Sequence, residues 1–174
     1  TNIEGIELSD ATNKDIVELL TQKNIVTIFQ GKSENGPRAL GNRSILTRPY
    51  PEEMKDHLNN RVKFREEFRP FAPAVLHEYA GDYFDIRQES PHMLIASNAT
   101  ELAKREIPAT IHIDNSCRVQ TVKAENNELF YRLLISFFDL TGCPVLLNTS
   151  FNVKGQPIVN TPNQAIDCFV INLK

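Results

Sequence analysis

The amino-acid sequence predicts an α/β protein with a mixed sheet and flanking helices. Short apolar and partly β-branched runs, typical of strands, are interspersed with segments in which apolar residues recur at helical spacing. The two kinds of segment do not alternate strictly, which favours a mixed sheet over a doubly wound parallel one. With 174 residues, the chain has the size of one domain, since typical domains contain roughly 100 to 200 residues.

The first half of the chain is predicted to begin with a helix and to continue as strand, basic loop, strand, helix and strand. Apolar residues at helical spacing between positions 16 and 20 predict the first helix, for which Asp10 or Asn13 is the expected cap. The predicted strands are 25–29, 44–47 and 71–76, and the second helix is 52–62. The segment 81–89 is predicted to be a loop.

The second half is predicted to contain four strands and two helices. The predicted strands are 93–96, 109–113, 119–122 and 145–147. The second and third of these are expected to pair across the turn-forming residues Asp114, Asn115 and Ser116. A broad apolar stripe along 127–140 predicts a helix packed against the core, and a last helix is expected over 163–171, started by Pro162.

Composition narrows the class of protein. No apolar run approaches the roughly 20 residues that cross a bilayer, so we expect no membrane span. Three widely spaced cysteines without a C-x-x-C pattern argue against both a disulfide framework and a thiolate zinc site, which favours a reducing, cytoplasmic location. The net charge is −3, yet positions 30–70 contain nine Lys and Arg against six Asp and Glu. This local excess suits a small anionic ligand better than a long phosphate backbone.

The segment 29–44 is the most informative part of the chain. Three glycines and a proline interrupt it, and Lys32, Arg38 and Arg43 make it basic. A cationic loop that follows a strand is a common place for ligand sites in α/β sheets. The segment therefore predicts an anion-holding loop, and the alternative is a surface loop that is merely basic.

Two further clusters are candidates for the same site. Lys63, Arg65 and Arg69 lie within seven residues, and guanidinium groups suit phosphate or carboxylate oxygens. The alternative is that neighbouring glutamates pair with these cations on a solvated face. Short amides and hydroxyls follow a buried strand over 148–152, where they either contact a ligand or form an ordinary turn. Arg118, just beyond a predicted turn, is expected to join the same pocket.

Three motifs together resemble the C-terminal domain of the antibiotic and nodulation-factor O-carbamoyltransferases. They are GPRALGNRSIL at 36–46, FRPFAP at 68–73 and LNTSFN at 147–152. K-x-R at 63–65 and S-x-N at 150–152 resemble signatures of the YrdC domain in threonylcarbamoyl-adenylate synthases and hydrogenase-maturation carbamoyltransferases. The resemblance implies a twisted open sheet with a cationic concave face. Residues 1–174 are then one YrdC-like domain, excised from a longer chain with an N-terminal metal-binding transferase domain.

The same resemblance implies a function and a set of site residues. The domain is expected to bind carbamoyl phosphate and ATP with Mg²⁺ and to form carbamoyl adenylate, while the N-terminal domain moves the carbamoyl group to a hydroxyl. The matched positions expected to be catalytic are Lys63, Arg69 and Arg118. Those expected to bind the two substrates are Arg38, Arg65, Asn148, Ser150 and Asn152. No metal ligands and no tightly bound cofactor are expected in this domain.

The chain departs from the family pattern at two positions. Asn115 stands where glycine is usual, although asparagine also tolerates a left-handed turn. Gln156 stands where glutamate is usual, which keeps open a catalytically degenerate domain that acts only as a scaffold. An RNA-binding module is another alternative, because the related fold has been linked to double-stranded RNA, but the net charge of −3 disfavours a long phosphate track.

Overall fold

The computed structural model describes residues 9–64 and 70–172, and within them the side chains through residue 170. Its strands are β1 (Val26–Phe29), β2 (Arg43–Thr47), β3 (Ala72–Leu76), β4 (Ile95–Asn98), β5 (Ser116–Val122) and β6 (Val145–Ser150). Its α-helices are α1 (Asn13–Thr21), α2 (Met54–Leu58), α3 (Ala80–Tyr83), α4 (Glu101–Glu106), α5 (Glu128–Thr141) and α6 (Pro162–Asn172). A π-helical turn (Asn59–Lys63) continues α2, and two short 3₁₀ turns span His77–Tyr79 and Pro108–Thr110.

The strands form one six-stranded sheet in the order β1-β2-β6-β3-β5-β4. Strands β3 and β5 pair in parallel, whereas the other neighbours pair antiparallel. The sheet is therefore mixed and open, with β1 and β4 at its edges, and the predicted fold class is confirmed. No helix in the described part of the chain has both the length and the apolar character needed to cross a membrane.

Two apolar clusters cover the two faces of this sheet. Leu46 and Leu146 belong to the cluster that contains α1 and α5 residues, whereas their neighbours Ile45 and Leu147 belong to the cluster that contains α2 and α6 residues. Because successive side chains of a strand point to opposite faces, the two clusters lie on opposite sides of the sheet at Ile45 and Leu46 and at Leu146 and Leu147, whereas at β3 the first cluster includes the consecutive residues 74–76. The helical stripe of α5 is buried as predicted, with Phe130 and Phe137 completely inaccessible to solvent.

The cap of α1 differs from the prediction. Thr12, and neither Asp10 nor Asn13, caps the helix: its hydroxyl accepts a hydrogen bond from Asp15 N, and the Asp15 carboxylate accepts one from Thr12 N at 2.7 Å. Such a reciprocal capping box satisfies two backbone donors at once, which a single capping residue does not. The box therefore determines where the helix begins.

The predicted strand at 109–113 was wrong, and so was its pairing with 119–122. Residues 108–110 form a 3₁₀ turn, in which Ala109 N donates a hydrogen bond to Pro49 O at 3.0 Å. Strand β5 begins at Ser116 and pairs with β4 instead. Asn115 is in the left-handed conformation with φ 66°, which asparagine tolerates better than most residues. The predicted turn before β5 is present, because Asn115 N donates to His112 O, but the segment that precedes the turn lies outside the sheet.

The predicted loop at 81–89 was partly wrong, because α3 extends from Ala80 to Tyr83. The helix directly follows the 3₁₀ turn His77–Tyr79 and buries Ala80 and Tyr83. A helix this short carries too few apolar positions for a periodic pattern to be visible in the sequence.

Candidate functional site

A small polar pocket lies where β5, β6 and the basic loop meet. Its volume is about 90 Å³. Its wall includes Pro37, Arg38, Phe71, Arg118, Asn148 and Ser150. We call this cavity the arginine pocket. Four of the residues predicted to bind substrate or to act in catalysis are thus brought together, from three separate parts of the chain.

The side-chain carboxylate of Glu34 organises the basic loop, which lies within segment 29–44. One carboxylate oxygen of Glu34 accepts hydrogen bonds from the backbone N–H groups of Leu40 and Asn42 at 2.8 Å each, and from that of Arg43 at 3.2 Å. Three convergent N–H groups form the kind of concave site that holds anions. The loop therefore uses its backbone amides to fix its own shape.

The three cations of the loop have different surroundings. Arg43 is buried, donates to Gln30 O and Asn42 O, and stacks its guanidinium 3.7 Å from the centre of the Phe29 ring. It therefore holds together the neighbouring ends of β1 and β2. Lys32 is exposed to solvent. Arg38 alone among the three lines the arginine pocket.

Arg38 and Arg118 place two positive charges at one small cavity. Burial, and next the charge of Arg118, lower the pKa of the Arg38 guanidinium. The Nε of Arg38 is buried and has no hydrogen-bond acceptor among the described residues. The described wall of the pocket also includes no carboxylate. Like charges held close cost free energy that an anion offsets, so this pocket is suited to a small anion.

Lys63 supports the end of β6 at Ser150, which lines the arginine pocket. Its ammonium donates to Ser150 O at 2.5 Å and to the Asn152 O and Oδ1 atoms at 2.9 Å each. The Lys63 side chain is buried at the end of the π-helical turn, and π turns are frequent at functional sites. In this structure Lys63 thus positions the S-x-N segment. The predicted site residues Arg65 and Arg69 lie outside the described residues.

Asn148 lines the arginine pocket and is held in place by two hydrogen bonds. Its amide nitrogen donates to Ala39 O at 3.0 Å and to Gln120 Oε1 at 2.8 Å. Its Oδ1 is buried and has no hydrogen-bond donor among the described residues. Gln120 in turn donates to Leu40 O at 3.1 Å. Gln120 was not among the predicted site residues, and the sequence of β5, which also contains Ser116, Arg118 and Thr121, does not single it out.

A larger cavity adjoins the arginine pocket and shares Pro37 with it. This outer pocket has a volume of about 670 Å³. The basic loop contributes Ser33, Glu34 and Gly36, and the opposite wall consists of Asn152 and the segment 157–160. Asn152 Nδ2 donates to the backbone oxygen of Gln156 at 2.7 Å, whereas the Gln156 side chain is exposed. Asn152, the remaining predicted binding residue in the described range, thus belongs to the outer pocket.

Comparison with known proteins identifies the relatives of this chain. A family model described as carbamoyltransferase C-terminus matches residues 17–173. The nodulation protein NolNO of Sinorhizobium fredii is 40% identical over 168 residues, which cover 95% of this chain and 25% of that protein. The nodulation protein U of Rhizobium tropici is 39% identical over 164 residues, which cover 94% of this chain and 28% of that protein. The chain thus spans about a quarter of the length of these relatives.

Solved structures with a similar fold are more distant in sequence. The crystal structure of full-length HypF in the phosphate- and nucleotide-bound form superposes with a TM-score of 0.62 at 17% identity, covering 97% of this chain and 21% of that one. The structure of HypF from T. kodakarensis gives a TM-score of 0.63 at 20% identity, covering 92% of this chain and 20% of that one. At this level of identity the likeness establishes the fold alone.

Proposed function

The chain belongs to the carbamoyltransferase C-terminal family, and from this premise we propose that it binds carbamoyl phosphate and ATP and forms carbamoyl adenylate. A metal-binding N-terminal domain of the same polypeptide then transfers the carbamoyl group to a hydroxyl acceptor. The observation that carries the proposal is the pair Arg38 and Arg118, which meet at one cavity with no described carboxylate in its wall. The polarity of the pocket matches a small anion, and the family supplies the identity of that anion.

The two cavities differ in volume, and in this proposal the smaller one holds carbamoyl phosphate and the larger one holds the nucleotide. The arginine pocket has room for a group of a few heavy atoms, such as the phosphoryl and carbamoyl moieties. The phosphoryl oxygens accept from the guanidinium groups of Arg38 and Arg118, since planar guanidinium donors suit tetrahedral oxyanions. The outer pocket, about 670 Å³ in volume, is the place for the nucleotide.

The reaction needs charge neutralisation and alignment more than a protein nucleophile. Carbamoyl phosphate, ATP and water give carbamoyl adenylate, pyrophosphate and inorganic phosphate. Both substrates are polyanions, so positive side chains that hold them side by side lower the barrier. Mg²⁺ enters with the nucleotide and is held mainly by phosphate oxygens and water. The Glu34 carboxylate in the outer pocket already serves the basic loop as an acceptor.

Calorimetric titration tests this proposal with stable ligands. Phosphonoacetamide replaces the labile anhydride oxygen of carbamoyl phosphate with a methylene, and α,β-methylene ATP resists cleavage at the α-phosphate. The wild-type domain is expected to bind both. Arg118→Ala should weaken phosphonoacetamide binding by about 10-fold or more, because one charge-assisted hydrogen bond is worth about 1.5–3 kcal/mol.

Lys32→Ala is the matched control, because it removes the same charge from an exposed position of the basic loop. It should change the affinity by less than about threefold, as expected for a screened surface charge. Equal losses of affinity in Arg118→Ala and Lys32→Ala would indicate that positive charge attracts the ligand only as a diffuse field and that no specific anion site exists. An absence of binding by the wild-type domain would favour a degenerate scaffold.

A further inference from the structure

The two halves of the basic loop are attached to the rest of the protein in different ways. The second half, 39–44, is bonded to the sheet and to the start of α5, because Leu40 O accepts hydrogen bonds from Gln120 Nε2 at 3.1 Å and from Asn127 Nδ2 at 3.4 Å. In the first half, 32–38, no backbone group bonds to another backbone group within the described part of the chain. The first half therefore depends on side chains to keep its place.

The Glu34 side chain connects the first half to the second. Its carboxylate oxygen Oε1 accepts from Leu40 N and Asn42 N at 2.8 Å each and from Arg43 N at 3.2 Å. All three donors belong to the attached second half. The bond to Leu40 closes a ring in the chain, and Arg38 lies within that ring. Closing a loop in this way reduces the number of conformations open to the residues inside it.

In the described part of the chain, one other hydrogen bond joins the first half to the rest of the protein. Ser33 Oγ donates to Asn160 Oδ1 at 2.5 Å, and this contact is exposed to solvent. An exposed hydrogen bond exchanges readily with water, so its net contribution is small. The bonds of Glu34 are partly buried, and a charged acceptor makes them stronger. Glu34 is therefore the main anchor of the first half.

Arg38 needs such an anchor because the charge of Arg118 repels it. Burial, and next the charge of Arg118, lower the pKa of the Arg38 guanidinium, and the second of these causes is a repulsion between two cations. Arg38 Nε is buried and has no hydrogen-bond acceptor among the described residues. The backbone that carries Arg38 thus determines where its guanidinium lies.

We propose that Glu34 is a positioning residue that keeps Arg38 beside Arg118 before the anion binds. The inference rests on the proposed function, in which the arginine pocket holds the phosphoryl group of carbamoyl phosphate. The Glu34 carboxylate does not contact this group and acts through the loop amides and the backbone between them. Because the loop is already ordered in the folded protein, ligand binding does not have to order it.

The charge of Glu34 alone predicts the opposite effect on affinity. An acidic side chain near two guanidinium groups lowers the positive potential around them, so its removal should tighten the binding of an anion. Loss of positioning should instead weaken the binding of the anion. The direction of the change in affinity therefore separates the two roles.

Three variants at position 34 measure this direction by calorimetric titration with phosphonoacetamide. Glu34→Ala removes the acceptor and should weaken binding at least about fivefold. Glu34→Gln keeps an oxygen for the amides and removes the charge, so it should bind at least as tightly as the wild-type domain. Glu34→Asp keeps the charge but is one methylene shorter, and should weaken binding about threefold or more because it does not reach all three amides.

A double-mutant cycle tests whether Glu34 acts through Arg38. In the Arg38→Ala background, Glu34→Ala should weaken binding by less than about twofold, because no guanidinium is left to position. Thr12→Ala is the control for stability, since it breaks the capping box of α1 and destabilises the fold at another place. Its affinity for phosphonoacetamide should stay within about twofold of the wild-type value.

The outcomes distinguish this inference from the proposed function. An affinity in Glu34→Ala that equals or exceeds that of the wild-type domain would refute positioning, while the phosphate site stands. Equal weakening with and without the Arg38 side chain would refute the action through Arg38. If Glu34→Ala does not fold, equal affinities of Glu34→Asp and Glu34→Gln would overturn the inference. If the wild-type domain does not bind phosphonoacetamide, the proposed function itself fails, and the inference fails with it.

Discussion

Gly41 connects the basic loop to the core, and its replacement by alanine has a predictable cost. Its φ is 107°, a value that side chains disfavour. A Cβ atom at this position would lie 2.5 Å from Phe130 Cγ and would also overlap Phe130 Cδ1. Phe130 is fully buried, so its ring cannot move away without disturbing the core. Gly41→Ala therefore combines backbone strain with overpacking.

Both costs can be worked out separately. Placing an alanine at positive φ costs about 1–2 kcal/mol, and displacing a packed core side chain costs about 1–3 kcal/mol more. Gly36 has a similar φ of 98°, but no atom lies within 4 Å of the point that a Cβ would occupy there. Gly36→Ala therefore carries only the backbone cost. Gly41→Ala should unfold about 2–12 °C below Gly36→Ala, at roughly 2–4 °C per kcal/mol for a chain of this size.

Thermal unfolding followed by circular dichroism measures the difference. The two variants lose the same chain entropy in the unfolded state, so their comparison isolates the contact with Phe130. Equal melting temperatures would refute the close packing of the basic loop against α5. Because Leu40 O and Ala39 O orient the amides of the pocket, Gly41→Ala should also weaken phosphonoacetamide binding, whereas Gly36→Ala should not.

Three further predictions concern groups around the site and in the core. Lys63→Met should lower the free energy of unfolding by about 1–3 kcal/mol in urea titrations, because partly buried oxygens of Ser150 and Asn152 lose a charged donor; an unchanged midpoint would contradict this. Glu34→Ala should cost about 1–2 kcal/mol in the same assay, since three backbone N–H groups lose their acceptor. Burial raises the pKa of the thiols of Cys117 and Cys143 to about 12, and Cys168 is also buried. At pH 8 a disulfide reagent should therefore label the native protein slowly and all three cysteines after denaturation; rapid native labelling would contradict the packing.

Local patterns in the sequence predicted the elements that depend on local physics. The stripe of α5 was found because its apolar spacing reflects the burial of one face, and β6 was found because a continuous apolar run is typical of a strand buried on both faces. The pairing partner of β5 was predicted wrongly. Either β4 or the segment 109–113 could pair with β5 by sequence pattern, and the outcome depends on which of the two has backbone N–H and C=O groups that are not already bonded elsewhere. In the structure Ala109 N is already bonded to Pro49 O, a contact between residues 60 positions apart that no local pattern reports.

The residues that form the site could largely be predicted from the sequence, whereas the contacts that each of them makes could not. Motif and charge pointed to Arg38 and Arg118, and the structure places them at one cavity. The sequence did not indicate that Lys63 supports the strand end, because its partners, the backbone and side-chain oxygens of Ser150 and Asn152, lie more than 85 positions away along the chain. It also did not indicate that Glu34, an acid in a basic loop, provides the anion that the loop amides bind.

The most direct test of the central claim is pyrophosphate release from ATP. In the presence of Mg²⁺, the wild-type domain should release pyrophosphate only when carbamoyl phosphate is also present, together with carbamoyl adenylate detected by mass spectrometry. Arg118→Ala should reduce the rate at least about 10-fold, and Lys32→Ala should leave it nearly unchanged. Pyrophosphate release that does not depend on carbamoyl phosphate, or that is unaffected by loss of the Arg118 guanidinium, would contradict the account.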